Sequence, residues 1–128
     1  MKEQYSKERY NRKQKGATAE EAAVQYLVSR GYSILERNWR CRSGELDIIA
    51  ENKGILIFIE VRSRSGTLHQ GTPEESVNAR KKHQVRSTAQ VYLHMKGYEE
   101  SMVSFDVITV ILNEDLSIAS LGHIREAF

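Results

Sequence analysis

The chain has 128 residues, room for one ordinary domain and not for two. Hydrophobic residues make up 40% and charged residues 28%, the balance of a folded globular protein rather than a disordered one. The formal charge of +2, from 19 basic and 17 acidic residues, excludes a binder that works by bulk positive charge but leaves room for a local basic patch.

That charge is unevenly placed. Residues 1–15 carry Lys2, Lys7, Arg9, Arg12, Lys13 and Lys15 against Glu3 and Glu8, a net +4 that leaves −2 for the remainder. This head has no apolar period and ends at Gly16. It reads as a flexible basic arm ahead of a single domain over 16–128, either simply solvated or in contact with nucleic acid. The single cysteine, Cys41, excludes an intrachain disulfide and fits a reducing, cytoplasmic home. No apolar run approaches the ~20 residues that cross a membrane, and no signal-peptide core is visible.

The first expected element is a helix from about Thr18 to Arg30. Thr18 and Glu21 have capping-box spacing, Ala19, Ala22, Ala23, Tyr26 and Leu27 form an apolar stripe, and Gly31 suits the left-handed position after the last turn. Three strands follow, near Tyr32–Trp39, Gly44–Glu51 and Ile55–Arg62. The link Glu51-Asn52-Lys53-Gly54 folds the last two into a hairpin. A second helix is expected from Thr72, with Pro73 as its first residue and Glu75 as capping partner, to about Lys96, where Gly97 stops it. Strands at Met102–Leu112 and Leu116–Ile124 complete the order α-β-β-β-α-β-β, an α/β architecture with a mixed sheet flanked by helices.

The hairpin carries the informative residues. Strict alternation puts Glu45 and Asp47 on one face with Ile49, and Glu60 and Arg62 on one face with Leu56 and Phe58, while Ile55, Ile57, Ile59 and Val61 make the other face uniformly apolar. Folding about Asn52-Lys53 sets Glu45 opposite Glu60. Slipping by two sets Asp47 opposite Glu60 instead. Either register gathers three carboxylates on one face, with Arg62 beside them. Like charges repel, burial sharpens the repulsion, and a divalent cation such as Mg²⁺ (or Mn²⁺) relieves it. Glu20 flanks the apolar stripe of the first helix, either as an acid at a helix N-terminus or as a further acid aimed at the sheet. On the second helix, Arg80, Lys81, Lys82 and Arg86 fall in a stretch without acids. Lys81 lies on the apolar line between Val77 and Val85, either snorkelling past the core or placed for a phosphate.

With these residues in view the sequence resembles the YraN family of small bacterial proteins, predicted endonucleases similar to archaeal Holliday-junction resolvases. The resemblance covers about Gly16 to Val110. It rests on an ordered set: Ala19-Glu20, Tyr26-Leu27, Gly31-Tyr32, Asn38-Trp39-Arg40, Gly44-Glu45-Leu46-Asp47-Ile48-Ile49, Phe58-Ile59-Glu60-Val61-Arg62-Ser63-Arg64, Val77 to Lys81, and Phe105-Asp106-Val107. It implies the restriction-endonuclease-like fold, whose signature is an acid followed by (Asp/Glu)-X-Lys, and a Mg²⁺-dependent endonuclease acting on DNA, with branched or recombination structures as candidate substrates. It also implies Asp47 and Glu60 as metal ligands, Glu45 beside them, and Glu20 as an active-site acid. Asp106 matches the family without an evident role. One departure matters: Arg62 stands where the superfamily has lysine. Arginine can clamp a phosphate oxygen and stabilise charge, but it cannot act as a base. The expectation is therefore an enzyme with Glu20, Glu45, Asp47, Glu60 and Arg62 at its centre. Arg40, Arg42, Arg64, Arg80, Lys81, Lys82 and Arg86 would contact the DNA backbone, and cutting two symmetric strands favours a homodimer. The alternative is a degenerate nuclease fold that binds nucleic acid without cleaving it. The four histidines, His69, His83, His94 and His123, show no zinc-ligand spacing with Cys41.

Overall fold

A computed structural model describes residues 10–65 and 77–128. The element order is α1 (Arg12–Ser29), β1 (Ser33–Cys41), β2 (Gly44–Asn52), β3 (Ile55–Ser65), α2 (Ala79–Lys96), β4 (Met102–Leu112) and β5 (Ile118–Ile124), the expected α-β-β-β-α-β-β. The strands form one mixed sheet in the order β1-β2-β3-β4-β5. β3 and β4 run parallel, joined through α2, and the other three pairs are antiparallel. β3 is thus an interior strand and reads as a continuous apolar run because both its faces are covered.

Two cores result. Ile48, Ala50, Ile57, Ile59, Ile108, Val110 and Leu112 meet Ala19, Ala23, Val24 and Leu27 of α1. Leu46, Ile49, Leu56 and Phe58 meet Val85, Ala89, Tyr92 and Leu93 of α2. Phe58 extends the second core through Tyr92 (ring centroids 6.0 Å) and Phe105 (5.4 Å). The greasy face expected of Ile55, Ile57, Ile59 and Val61 is the one beneath α1.

Both helices begin elsewhere than the sequence suggests. α1 starts six residues before Thr18, inside the basic head. Its cap is Asn11, whose side chain accepts from the Gln14 N–H while the Gln14 side chain accepts from the Asn11 N–H, both at 2.8 Å. Thr18 and Glu21 therefore lie within the helix and cap nothing. Residues 10–15 belong to the folded unit, and residues 1–9 of the proposed arm lie outside the described residues. α2 is capped by Asn78, which accepts from the Lys81 N–H at 2.9 Å. Thr72, Pro73 and Glu75, expected to start it, lie outside the described residues. Its end is as expected, with Gly97 in the left-handed region at φ 73°. α1 ends at Ser29, and Gly31 takes the left-handed position after its last turn as expected, at φ 91°.

The hairpin turn decides the register. Lys53 and Gly54 both have positive φ (53° and 82°), the type I′ geometry that matches the twist of the flanking strands. It pairs Asn52 with Ile55 and runs to Ile48 with Ile59. This is the slipped alternative, and one step further it sets Asp47 across from Glu60.

Gly44 opens β2 at φ 150°, and a Cβ there would lie 3.0 Å from side-chain atoms of Gln84 and Thr88 on α2. The start of the acid-bearing strand thus rests directly on the second helix. Gly16 is the opposite case, a helix-interior glycine with open space around it. Gly44→Ala is expected to destabilise the fold by about 1–3 kcal/mol. Gly16→Ala should stabilise it by about 1 kcal/mol. Urea unfolding of the two variants beside the wild type measures both signs.

Candidate active site

The end of the sheet where β3 finishes and β2 begins collects the acids. Glu60 is 2% exposed, and with Asp106 it is one of two fully buried acids among the described residues. Its nearest described cation is Lys81, whose Nζ lies 3.8 Å from Oε1, an ion pair too long for a hydrogen bond. Lys81 thus occupies the place its apolar line suggested, over the sheet at the start of α2. Beyond Ile48 and Ile59 the backbone ladder between β2 and β3 ends, and the Asp47 carboxylate accepts the Val61 N–H at 2.9 Å instead.

Alternation does not hold across this region. In β1, Glu36 and Trp39 both reach the α2 side, where Glu36 meets Lys96 (3.6 Å) and Trp39 packs edge-on to Tyr92 (5.2 Å). Between them Arg37 and Asn38 both reach α1 and meet Glu20. Asn38, at φ 52°, supplies the turn of backbone that allows this. β2 matches it: Leu46 and Ile49, three apart, both pack on the α2 side. That leaves Asp47 and Ile48 in the interval across from Asn38 and Arg37. Asp47 therefore does not share a face with Ile49, as strict alternation would have it. It sits between the two helices, within electrostatic reach of Glu20, Glu45, Glu60 and Lys81.

Glu20 is the ninth residue of α1, too far from the N-terminus for the helix-end explanation of its charge. Both its oxygens accept from the Asn38 side-chain amide (3.1 and 3.0 Å), and Arg37 lies 3.6 Å away. Glu45 is half-exposed and pairs with Arg40 at 3.2 Å, directly across the β1–β2 ladder.

Burial and crowding set the protonation of the central pair. Burial pushes Glu60 up from 4.5 to about 8, Asp47 adds to that, and Lys81 and Arg62 oppose it. Asp47 is raised as well, by burial first, with Glu45 and Glu20 adding, against the Val61 N–H and Lys81. No group of three or more His, Cys, Asp or Glu among the described residues converges tightly enough to form a multi-ligand metal centre. Two hard carboxylates suit Mg²⁺ or Mn²⁺ all the same, since Mg²⁺ keeps several waters and takes only one or two protein carboxylates. Asp47 and Glu60 are the residues that would hold it.

The basic residues divide. Arg62 and Arg64 follow Glu60 on β3, Arg42 lies in the turn before β2, and Arg80 with Lys81 in the first turn of α2. Lys15 joins them from α1, with its Nζ 3.3 Å from the Ser65 hydroxyl at the end of β3. Neither helix has an acid in its first turn. Lys82 and Arg86, by contrast, have their charges over the Phe128 ring (6.0 and 5.5 Å), with Arg86 also over Phe105 (5.8 Å). They hold α2 to the C-terminal segment.

Asp106 has a structural role. It accepts from His123 Nε2 (2.8 Å), the Ser104 hydroxyl (2.8 Å) and the Glu126 N–H (3.1 Å), and His123 Nδ1 meets the Tyr26 hydroxyl at 3.0 Å. This network ties β4, β5 and α1 together. Burial raises the Asp106 pKa, but the His123, Ser104 and Glu126 bonds more than offset it and the net shift is downward.

A family model described as "Uncharacterised protein family UPF0102" matches residues 19–110. The chain belongs to the UPF0102 family, the YraN proteins. It is 48% identical over 118 residues to the UPF0102 protein of Desulforamulus reducens, covering 91% of this chain and 96% of that one. It is 43% identical over 120 residues to a UPF0102 protein of Clostridium botulinum (93% and 97%), and 43% identical over 114 residues to that of Persephonella marina (89% and 92%). The matched span of the UPF0102 model contains Glu20, Asn38, Glu45, Asp47, Glu60 and Asp106. No helix among the described residues is long and apolar enough to cross a membrane.

Sequence reasoning named Asn38 only within the Asn38-Trp39-Arg40 motif, gave it no role at the site, and passed over Arg37. An asparagine in mid-strand was the available signal, because strands disfavour it and the left-handed region favours it.

Two measurements follow from these environments. A carboxyl whose folded-state pKa lies above its unfolded value favours the fold while protonated. With chelator present, stability should therefore be full below pH 4.5 and fall as the pH rises towards 8. Glu60→Gln should flatten that decline, seen as a melting temperature several degrees above wild type at the alkaline end. Asp106→Ala should instead lower stability by about 3 kcal/mol, by stranding His123 and its neighbours, and leave metal binding unchanged.

Proposed function

We propose that this UPF0102 protein is a metal-dependent endonuclease that hydrolyses phosphodiester bonds in DNA. The observation that carries the reading is Glu60, a carboxylate buried on an interior strand just past the end of the β2–β3 ladder, across from Asp47, whose one ion pair among the described residues is a long contact to Lys81. Such a pair is unfavourable without a cation, and the end of the sheet that holds it is lined by Lys15, Arg42, Arg62, Arg64 and Arg80, the charges a polyanion needs.

A divalent ion held by Asp47 and Glu60 would supply Lewis-acid polarisation of the scissile phosphate and a bound water of lowered pKa. The chain's own groups do the rest. Arg62 holds a phosphate oxygen and steadies developing negative charge, but it stays protonated and takes no proton from water. Lys81 balances Glu60 until substrate arrives and then faces the phosphate. Glu20 and Glu45 raise the negative potential at Asp47. The basic residues track the backbone, so affinity should be salt-sensitive with little base readout. Branched or recombination-type DNA is the substrate class we propose, cut by a two-fold homodimer in the cytoplasm.

One feature favours a second reading, a nuclease fold that binds DNA without cutting it: Arg62 replaces the lysine that would help activate water.

Nicking assays on junction, flap and duplex DNA with Mg²⁺ or Mn²⁺ separate the two. The endonuclease reading expects metal-dependent products that Asp47→Ala and Glu60→Ala each reduce by at least about 100-fold. Wild-type activity in the two variants overturns it. DNA binding without products, unchanged in Arg62→Lys, establishes the second reading.

A further inference from the structure

Glu20 stands mid-helix, beyond reach of the free amides of the first turn. Its side chain is 14% exposed, and Asp47 lies within its electrostatic reach. Arg37 offers it a competing anchor at 3.6 Å, and Arg37 also holds Glu21 at 3.2 Å, on the exposed side of the helix. Left to the arginine, Glu20 would be drawn outward. Asn38 holds it in place by donating its side-chain amide to both carboxylate oxygens at 3.1 and 3.0 Å.

Asn38 can do this only because of its backbone. At φ 52° it is one of four non-glycine residues with positive φ among the described residues, and the only one within a strand. Its neighbours fix the conformation from both sides: Arg37 is tied to α1, and Trp39 is packed against Tyr92 of α2. Across the β1–β2 ladder, between the pairs Arg37–Ile48 and Trp39–Leu46, Asn38 faces Asp47. One residue thus touches the helix acid with its side chain and stands in register with the strand acid. A hydrogen-bond donor is what that place requires, since any acceptor there would add to the repulsion among the carboxylates.

We infer that Asn38 is a positioning residue of this site, holding the Glu20 carboxylate beside Asp47 so that helix and hairpin act together on a divalent cation. The inference rests on the endonuclease reading above and assigns the Asn38-Trp39-Arg40 motif its part in it. Strain at a left-handed asparagine persists where its surroundings over-determine it, and here both helices do so.

Calorimetric titration of the full chain with Mn²⁺ alone, beside cleavage kinetics, tests it. Asn38→Asp keeps a residue that tolerates the left-handed region but turns the donor into a second carboxylate. Asn38→Gly keeps the backbone freedom and deletes the amide. Both should weaken Mn²⁺ binding by roughly 10–100-fold, the loss typical when a group that supports the ligands from outside is disturbed. Both should also lower kcat with KM for DNA little changed. Asn38→Gly combined with Glu20→Gln should bind Mn²⁺ no more weakly than Glu20→Gln alone, because Asn38 acts through Glu20. Wild-type Mn²⁺ affinity in both Asn38 variants, or a double variant showing the product of the two single losses, overturns the inference while leaving the endonuclease reading intact. Failure of the wild-type chain to bind Mn²⁺ overturns both.

Discussion

Two carboxylates at the open end of a hairpin repel each other, and neither hydrophobic packing nor one lysine at ion-pair distance removes that repulsion. Glu60 lies on β3, covered by α2 on one face and α1 on the other. Asp47 can escape only by taking the Val61 N–H where the strand ladder stops. In the absence of a cation the protein's remaining response is to keep a proton, and burial sends both pKa values upward. The rest of the fold holds this arrangement in place. The type I′ turn at Lys53-Gly54 sets the register that opposes the acids. Gly44 lets β2 start against α2, and Asn78 caps α2 so that its first turn delivers Lys81.

What was legible in the sequence follows from which physical signals are local. Strand order, helix count and the apolar face of β3 were readable because side-chain period and chain punctuation encode them directly. Register was readable only to within two alternatives, because Asn52-Lys53 and Lys53-Gly54 both have acceptable turn chemistry, and positive φ at two adjacent residues is a property of the folded backbone. The start of α1 was hidden because Asn11 and Gln14 lie in a run of bases interrupted by Gly16, and charge and glycine both argue against a helix. The moved boundary had a consequence for chemistry. It removed the helix-end explanation for Glu20 and left that acid needing another.

The period-two reading of the hairpin failed at Asp47, which is the proposed site. Alternation predicts a flat division of side chains between faces, whereas Asn38 and its partner interval at Asp47–Ile48 turn two consecutive residues to the same side. Local rules break where a site demands geometry that regular structure does not supply. Here the break lets a single strand pair reach both helices at once, with Trp39 anchored on Tyr92 and Arg37 on Glu20.

Burial of an acid is therefore not by itself the mark of a site. Asp106 and Glu60 are both 2% exposed, both lie on interior strands, and both fall within the span shared with the family. Asp106 is surrounded by donors, one ring nitrogen, one hydroxyl and one backbone N–H, and its pKa is held below the ordinary value. Glu60 has a like charge across from it and a lysine at ion-pair distance, and its pKa is pushed the other way. The first carboxylate is already satisfied by the protein and works as a brace between β4, β5 and α1. The second has, among the described residues, one long ion pair and no hydrogen-bond donor, at the end of the sheet where bases from α1, β3 and α2 collect. That difference in partners, at equal burial, separates the acid that holds the fold from the acid that the fold holds ready.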